Sequence, residues 1–398
     1  MFYGVDHYKT ASSLSNLATN LLYTANYIDA DPLYRRILNI SEQSMGPYHP
    51  DTGIHLNNFA SFLIAKGDYE TAELFCRRAL IIAEQSLGPD HPDTGIRLNN
   101  LADLLRKKGA YEMAEPFCRR ALIIAEQSLG PNHPDTGTRY NTLASLLTAK
   151  GDYETAELFC RRALTIAEQS LGLDHPDTGV RLNNLAFILT TKGDYETAEP
   201  LYRHALAIVE NSLGPDHPDT ATRLNNLAEL LSEKSDYDTA ANFYRQAFAI
   251  RERIIGLDHS DTRVTMFSLA RCLENLGHFE EAEKFYRMEL VSCEKYLGKD
   301  NPITHASIHS LGVFLRERKK YDEAEQLLRE VIKLREQILQ VDAPDLGLSL
   351  GALGLTLVNK GKYEEANNLY HKALTIFIKA SGENHSHTKC IRERIASL

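Results

Sequence analysis

Histidine and aspartate recur together in this chain in the motif H-P-D-T, a pair that can serve acid–base catalysis or bind a metal ion. The motif begins at five positions that lie 42 residues apart: His49, His91, His133, His175 and His217. A weaker form, H-S-D-T, begins at His259. If a helix pair separates successive copies, their histidines cannot converge within the ~2.0 to 2.2 Å ligand distances of a zinc site. We therefore predict that the motif forms a turn and caps a helix.

Three cysteines recur at one position of the same period, and their thiols are the second candidate for chemistry. They are Cys76, Cys118 and Cys160, and other copies carry Tyr202, Tyr244, Tyr286 and Tyr370 at this position. Because aromatic residues fit the same place, we expect small core residues there and neither ligands nor nucleophiles. The chain has six cysteines and no C-x-x-C pair, which favours a reducing, cytoplasmic location over a disulfide framework.

The sequence carries none of the local motifs that bind nucleotides or a zinc ion. G-x-x-x-x-G-K-[ST] and H-E-x-x-H do not occur, and no G-x-G-x-x-G follows a strand. The pattern G-x-S-x-G occurs once, at Gly347–Gly351, which is weak evidence for a nucleophile without the strand and sharp turn that should precede it. In a repeated array, each residue type also recurs at regular separations, whereas a nucleophile, a base and an orienting group must converge. No cofactor, no metal and no enzymatic activity are therefore predicted.

Composition and charge narrow the classes of partner. The chain has 398 residues, of which 43% are hydrophobic and 25% charged, as in folded globular proteins. A formal net charge of -10 leaves no broad basic surface for a phosphate backbone, so nucleic acid is not an expected partner. The first ten residues lack the pattern of a signal peptide, and no run of eighteen apolar residues occurs, so neither secretion nor a membrane partner is expected.

The whole chain aligns with itself at an offset of 42 residues without a gap, which is the signature of a repeat protein. Degenerate traces of the histidine motif continue the period at Asn301, Ala343 and His385. We predict a single solenoid over residues 10–398. Its repeats are in register at 10–50, 51–92, 93–134, 135–176, 177–218, 219–260, 261–302, 303–344 and 345–386, and a capping helix follows at 388–398.

Each copy contains two apolar stripes with helical spacing. In the second copy, helix A carries its stripe at Leu56, Phe59, Ala60 and Leu63, and helix B carries its own at Tyr69, Ala72, Cys76, Ala79 and Ala83. A glycine, Gly67 in this copy, separates the two helices. Two antiparallel helices per 42 residues exclude a four-stranded propeller blade of similar period and predict an all-α solenoid of about nine helix pairs.

The segment between successive copies has the residues of a helix end and a helix start. In Ser86–Pro89, S-L-G-P, glycine stands where a helix C-terminus favours a left-handed residue. In the following D-H-P-D-T, either Asp90 or His91 is the predicted N-cap. Pro92 then falls in the first turn of the next helix, where its missing N–H costs nothing.

Large and small residues alternate in a way that resembles the tetratricopeptide repeat. The small position of helix B is alanine in eight copies: Ala72, Ala114, Ala156, Ala198, Ala240, Ala282, Ala324 and Ala366. The aromatic partner recurs as Tyr69, Tyr111, Tyr153, Tyr195, Tyr237, Phe279, Tyr321 and Tyr363. The phrases L-N-N-L-A, G-D-Y-E-T-A-E-P-L-Y-R-H-A-L and L-G-P-D-H-P-D-T are similar to the 42-residue repeats of kinesin light chains.

This resemblance implies a right-handed superhelix in which helix A of each repeat lines a concave groove for a peptide or a partner helix. An adaptor or scaffold that binds a protein is the expected function. A motor subunit is not expected, because the heptads by which kinesin light chains pair do not precede these repeats. Similar arrays also occur as sensor or regulatory arms of larger signalling and defence proteins, so that role stays open.

Two rows of asparagine on helix A are the main candidates for groove residues. The first row is Asn57, Asn99, Asn141, Asn183 and Asn225, and the second is Asn58, Asn100, Asn184 and Asn226, interrupted by Thr142. An amide both donates and accepts, so such rows can satisfy the backbone of an extended peptide without demanding one side chain. The alternative is that one asparagine of each pair bonds the neighbouring repeat and stabilises the stack.

Charged residues on helix A add to this candidate surface. Asp103, Arg106 and Lys107 form the most charged cluster, at positions where the otherwise near-identical copies differ. A row near the helix start contains Arg97, Arg139, Arg181 and Arg223. Both sets can bind acidic groups of a ligand through charge-assisted hydrogen bonds, and ion pairs within the array are the alternative.

A structural role is the alternative to a binding module. The array would then be a spacer, or a self-assembling scaffold that forms homo-oligomers through its terminal helices. This interpretation predicts exposed apolar residues at the end of the chain, and Ile391, Ile395 and Leu398 are the candidates.

Overall fold

The computed structural model describes residues 8–23, 27–338 and 343–398, and in these ranges every regular element is an α-helix. The helices are α1 (Tyr8–Tyr23), α2 (Tyr27–Ser44), α3 (Pro50–Lys66), α4 (Tyr69–Ser86), α5 (Pro92–Lys107), α6 (Tyr111–Ser128), α7 (Pro134–Lys150), α8 (Tyr153–Leu171), α9 (Pro176–Thr191), α10 (Tyr195–Leu213), α11 (Pro218–Glu233), α12 (Tyr237–Ile254), α13 (Ser260–Asn275), α14 (Phe279–Leu297), α15 (Pro302–Glu317), α16 (Tyr321–Ile338), α17 (Pro344–Asn359), α18 (Tyr363–Ser381) and α19 (Ser386–Ala396). The prediction of an all-α chain of helix pairs is confirmed.

The histidine motif caps helix A in six repeats, and histidine is the capping residue. Nδ1 of His91 accepts a hydrogen bond of 3.1 Å from the backbone N–H of Asp93, and Pro92 is the first helical residue. The same cap recurs at His49, His133, His175, His217 and His259. Asn301 replaces the imidazole with its side-chain oxygen, which accepts from Ile303 N–H. Asp90, the other candidate, is therefore not the N-cap.

The threonine of the motif has its own structural role, which links the end of one helix pair to the start of the next. Its hydroxyl donates to the carbonyl of the glycine six residues earlier, at 2.7 to 2.9 Å. The threonines with this bond are Thr52, Thr94, Thr136, Thr178, Thr220, Thr304 and Thr388. All seven are fully buried, so the bond satisfies a polar group that water does not reach.

Replacing Thr220 by valine should lower the free energy of unfolding by about 1 to 2 kcal/mol, because the carbonyl of Gly214 loses its hydrogen bond of 2.8 Å and keeps only the longer one, 3.4 Å, from the N–H of His217. Thr262 offers a matched control, since its buried hydroxyl has no hydrogen-bond partner in the described part of the chain. Thr262→Val should be neutral or stabilising. Urea unfolding of both variants tests this, and equal losses of stability would contradict the role of the Thr220 hydrogen bond.

The core is continuous from one helix pair to the next within each unit of the chain. Leu56 of α3 packs with Ala79 and Ile82 of α4, and Leu38 of the preceding α2 packs against them. The eight recurring alanines of helix B are fully buried, which allows the paired helices to approach closely. The chain forms two compact units that are divided between Ser212 and Leu213. That residues 10–398 form a single solenoid in the nine registers stays a prediction.

Salt bridges also join successive repeats at the end of helix A. Lys108, directly after α5, pairs with Glu73 on α4 at 2.7 Å, and Lys66 on α3 pairs with Asp31 on α2 at the same distance. Equivalent pairs are Lys150–Glu115, Lys192–Glu157 and Lys360–Glu325. Pairs of this kind, near solvent, stabilise by at most about 1 kcal/mol each, so the apolar core remains the main stabilising contribution.

Candidate peptide-binding surface

The two asparagine rows lie at different depths. Asn57, Asn183 and Asn225 of the first row are buried, with 6 to 7% of their surface exposed, and Asn99 and Asn141 are half-buried. The second row is half-buried throughout: Asn58, Asn100, Asn184 and Asn226. The first row therefore offers little surface to a ligand.

Hydrogen bonds connect the rows of neighbouring repeats. Asn100 Nδ2 on α5 donates to Asn57 Oδ1 on α3, and Asn184 Nδ2 on α9 donates to Asn141 Oδ1 on α7, both at 2.9 Å. Each bond joins consecutive helices A, so stacking of repeats accounts for these four amides. Contact between the asparagine rows and a peptide stays a prediction, to which the second row is better suited by its exposure.

Thr142 interrupts the second row, and the structure shows the consequence of that break. An asparagine at this position is the counterpart of the two donors above and faces Asn99. Thr142 instead donates its hydroxyl to the carbonyl of Thr138 in its own helix, at 3.0 Å. Asn99 Oδ1 is buried and has no hydrogen-bond partner in the described part of the chain. One inter-repeat hydrogen bond is therefore missing between α5 and α7.

Replacing Thr142 by asparagine should supply this hydrogen bond and raise the free energy of unfolding by about 0.5 to 1.5 kcal/mol. Thr142→Val is the control, because valine has a similar size and helix propensity but cannot donate to Asn99. Thermal and urea unfolding measure the difference between the two variants. If they are equally stable, the asparagine rows do not contribute to stacking in this way.

The charged cluster of α5 is paired within its own helix. Asp103 Oδ1 accepts from Nε and Nη2 of Arg106 at 3.1 and 2.7 Å, and Lys107 Nζ lies 3.3 Å from Asp103 Oδ2. The three side chains together carry one net positive charge. They remain partly exposed, so an anionic ligand can still approach the two cations.

The arginine row near the start of helix A is largely buried between repeats. Burial lowers the pKa of Arg97, Arg139 and Arg181. Arg181 is 8% exposed, and its Nη2 donates to Thr138 Oγ1 of the preceding helix A at 3.0 Å. These three arginines therefore belong to the stack more than to a ligand surface, and the contact of Arg181 is to a hydroxyl group, whereas ion pairs were the predicted alternative.

A cavity of about 410 Å³ opens on the helix A side of the first unit. It brings together three of the predicted site residues, Arg106 of α5 and Asn183 and Asn184 of α9. Ser145 and Thr148 of α7 and Thr191 and Phe187 of α9 also line it, and the other lining residues are Ala149, Tyr153, Cys160 and Ile188. The remaining predicted residues do not line it: Asn57, Asn58, Asn99, Asn100, Asp103, Lys107, Asn141, Asn225 and Asn226.

Phe187 is the most prominent residue of this cavity that the sequence did not place in the site. Its ring is 49% exposed, which is unusual for a phenylalanine in a packed helical array. Serine, aspartate or glutamate stands at the same position in four other copies: Ser61, Asp103, Ser145 and Glu229. That variation was the available signal, but the sequence cannot show that the ring is exposed beside a cavity.

The hydroxyl groups of the cavity present acceptors. Ser145, Thr148 and Thr191 each donate to a carbonyl one turn earlier in their own helix, at 2.8 to 2.9 Å. Their donated hydrogens are therefore occupied, and the oxygen lone pairs remain for an incoming N–H group. Arg106 adds donors at the edge of the same cavity.

The described residues contain no group of three metal-binding side chains. Burial raises the pKa of Cys76 to about 11 and that of Cys118 and Cys160 to about 12, so these thiols stay protonated and unreactive. The histidines of the H-P-D-T motif are separate helix caps. The arrangement thus offers apolar, amide, hydroxyl and cationic contacts for binding.

Comparison with protein families agrees with this architecture. The model of the tetratricopeptide repeat matches residues 10–51, 51–122, 97–169, 140–186, 177–253, 234–290 and 304–379. The chain belongs to the tetratricopeptide repeat family. Such repeats generally mediate protein–protein interaction and are generally not catalytic. No curated protein matches the sequence.

Several solved structures are similar to this tetratricopeptide repeat chain. The apo form of the quorum sensor NprR from B. thuringiensis is 15% identical, with a TM-score of 0.60 over 93% of this chain and 99% of that chain. The putative kinesin light chain with nearly identical TPR-like repeats from Podosopora anserina is 23% identical, with a TM-score of 0.49 over 52% of this chain and 98% of that chain. BtubC (BKLC) from P. vanneervenii is 22% identical, with a TM-score of 0.49 over 59% and 91%. The similarity to NprR shows the fold alone.

Among the described residues of this tetratricopeptide repeat chain, no helix has the length and apolar character needed to cross a membrane. The three apolar candidates at the end of the chain differ in exposure, and self-assembly through terminal helices stays a prediction. Ile391 is buried and Ile395 is half-buried, whereas Leu398 is exposed.

Proposed function

We propose that the helix A surface of α5, α7 and α9 binds an extended peptide segment of a partner protein, and that the chain acts as an adaptor or scaffold. The observation that carries this proposal is the cavity of about 410 Å³ beside the exposed ring of Phe187. Ligand sites of proteins are typically concave and about 300 to 1,000 Å³ in volume, with apolar walls and a few polar groups. This cavity has a volume in that range, and both apolar and polar side chains line it.

An extended peptide suits the polar groups of the cavity. Its backbone N–H groups can donate to the oxygens of Ser145, Thr148 and Thr191, whose own hydrogens are used within their helices. The amide of Asn184 lines the same cavity. Backbone recognition of this type gives affinity without a strict sequence, and the side-chain pockets then select among peptides.

Two features favour particular side chains of the peptide. The exposed ring of Phe187 favours an apolar residue, because contact with it removes apolar surface from water. Arg106 and Lys107, only partly neutralised by Asp103, favour an acidic residue on the α5 side. We therefore infer a ligand segment with an apolar residue next to an acidic one. The half-buried Asn58, Asn99 and Asn100 would extend its path towards α3.

Selection of peptides from a random display library against the full chain tests this proposal. A selected peptide should lose affinity by about tenfold or more with Phe187→Ala, since burial of a phenylalanine side chain is worth about 1.5 to 3 kcal/mol. Arg106→Ala should weaken acidic peptides selectively and lower the salt dependence of their binding. Fluorescence anisotropy with labelled peptides measures both effects.

Leu158→Ala is the matched control for Phe187→Ala. Leu158 is also an exposed apolar residue of the first unit, but it lies on helix B, away from the cavity. Its replacement should leave peptide affinity and thermal stability unchanged. Peptides whose affinity is insensitive to both Phe187→Ala and Arg106→Ala would place the binding surface elsewhere. Failure to select any peptide would favour the spacer or self-assembling alternative.

A further inference from the structure

The helix pair α13–α14 of the second unit departs from the packing that most repeats use. In most pairs a glycine of helix A lies against an alanine and an isoleucine of helix B, as Gly53 does with Ala79 and Ile82. A Cβ atom on Gly53 would lie only 3.1 Å from Ile82 Cγ2, so the glycine is required for this contact. In the pair α13–α14, the three equivalent residues are Arg263, Glu289 and Ser292. A packed apolar contact has been replaced by two charged residues and a small one.

Glu289 is a buried carboxylate that is only half satisfied. It is 4% exposed, and Oε1 accepts from Ser307 Oγ at 2.7 Å and from Cys293 Sγ at 3.0 Å. Oε2 is buried and has no hydrogen-bond partner among the described residues. Burial raises the pKa of this carboxyl group. A buried acceptor without a donor costs about 1 to 3 kcal/mol. Binding of a group that donates a hydrogen bond to Oε2 is therefore favourable.

Arg263 lies near Glu289 but does not satisfy Oε2. It is also buried, at 8% exposed, and its Nη1 donates to the backbone carbonyl of Asp258. Its positive charge lowers the pKa of Glu289, against the larger effect of burial. The charges of Arg263 and Glu289 therefore partly neutralise each other. Glu289 Oε2 still lacks a hydrogen-bond donor among the described residues.

Glu289 also lines a cavity of about 260 Å³ that is open to solvent. Its apolar walls are Phe267 and Val264 of α13 and Ile303 of α15, and Glu289, Arg263 and Ser307 supply the polar lining. Val264 and Ile303 are largely exposed at the mouth. The volume is below the ~300 Å³ at which pockets for whole small molecules begin, so the cavity has the size for a single side chain.

We propose that this cavity receives a lysine side chain of a partner protein, whose ammonium group donates to Glu289 Oε2 while its methylene stem packs on Phe267, Val264 and Ile303. The chemistry of the site favours an ammonium over a guanidinium. Arginine pairs best with both oxygens of a carboxylate at once, but Oε1 of Glu289 is already occupied. An ammonium is a compact donor that one open oxygen can accept.

The site is independent of the peptide surface proposed for the first unit, because all its residues lie in the second. The asparagine of the first row is replaced by Phe267 at this point, which turns a polar position into an apolar wall. A buried ion pair gains little net affinity, since both charges lose their hydration. We therefore expect this cavity to select lysine over other side chains. Most of the affinity would come from contacts that the partner makes around the cavity.

Saturation-transfer NMR with single-residue probes on the full chain tests the proposal. The probes are the N-acetyl methylamides of lysine, arginine and norleucine, the last of which has an apolar stem and no charge. The lysine probe should bind the unmodified chain about tenfold more tightly than the other two. Glu289→Gln should remove this preference, because the neutral amide no longer attracts the ammonium.

Two further variants keep this test decisive. Glu289→Ala places the residue of most other repeats at this position, such as Ala247, so it should fold and should also lose the preference for lysine. Glu280→Gln, at an exposed carboxylate of the same helix, should leave lysine binding unchanged. The proposal is overturned if the lysine probe does not bind, if it binds no better than arginine or norleucine, or if Glu289→Gln leaves its affinity unchanged.

Discussion

Truncation of Phe314 to alanine should lower the free energy of unfolding by about 3 to 5 kcal/mol, the largest loss we expect from a single core substitution in this chain. Phe314 is 1% exposed, and its ring centroid lies 5.2 Å from that of Tyr286 on the preceding helix B. The guanidinium of Arg318 lies 6.0 Å from the same ring. Alanine would leave a cavity between α14 and α15 and remove both aromatic contacts.

Phe314→Leu is the matched control, because leucine occupies this position in three other repeats, as Leu104, Leu146 and Leu230. It should cost much less, since it fills most of the volume. Hydrogen exchange of α15 and α16 amides, together with urea unfolding, measures the effect, because repeats contact only their neighbours and can open locally. Similar losses for alanine and leucine would mean that ring contacts, and not the volume, determine stability here.

Gly354→Ala should destabilise the second unit by about 1 to 3 kcal/mol, although alanine is the better helix former by about 1 kcal/mol. A Cβ atom on Gly354 of α17 would lie 2.5 Å from Tyr370 Cε1 and 2.8 Å from its Cδ1. Tyr370 is itself fully buried on α18, so its rigid ring has little room to withdraw. Gly312→Ala is the control, because the added Cβ atom would lie 3.0 Å from its nearest neighbour, Leu328 Cγ, and its cost should therefore be smaller.

A double-mutant cycle isolates the contact between Gly354 and Tyr370. Three repeats combine alanine and cysteine at these two positions: Ala60 with Cys76, Ala102 with Cys118, and Ala144 with Cys160. In a Tyr370→Cys background, Gly354→Ala should therefore become neutral or stabilising when thermal and urea unfolding are compared. If its cost is the same in both backgrounds, the steric contact with Tyr370 is not the cause.

Much of the fold was predictable because its determinants are local. The spacing of apolar residues, the glycine at each helix end and the proline at each helix start act within one or two turns. The 42-residue period then shows each of them repeatedly. Even the buried alanines of helix B were evident, since one small residue recurs in eight copies. The choice between Asp90 and His91 as the N-cap was not, because either side chain can accept the same backbone hydrogen bond.

The candidate site was less predictable, because repetition has two causes that leave the same pattern. An asparagine that recurs to bond the next repeat, as Asn100 bonds Asn57, looks the same in the sequence as one that recurs to bind a periodic ligand. The distance in the structure between side chains 43 positions apart in the sequence is what distinguishes these two causes. The pairing of Asp103 with Arg106 and Lys107 likewise depends on side-chain conformations, although helical spacing places these residues on one face.

The sequence by itself determined that this protein is an array of helix pairs of the tetratricopeptide type, because hydrophobic periodicity and helix ends are encoded by near neighbours. The tertiary structure alone decided which polar residues face solvent, which bond across repeats and where cavities open. It revealed the exposed ring of Phe187 and the unpartnered oxygen of Glu289, both single departures from the repeat. Such residues follow no period, and their surroundings come from other helices, so only the packed structure shows what they can bind.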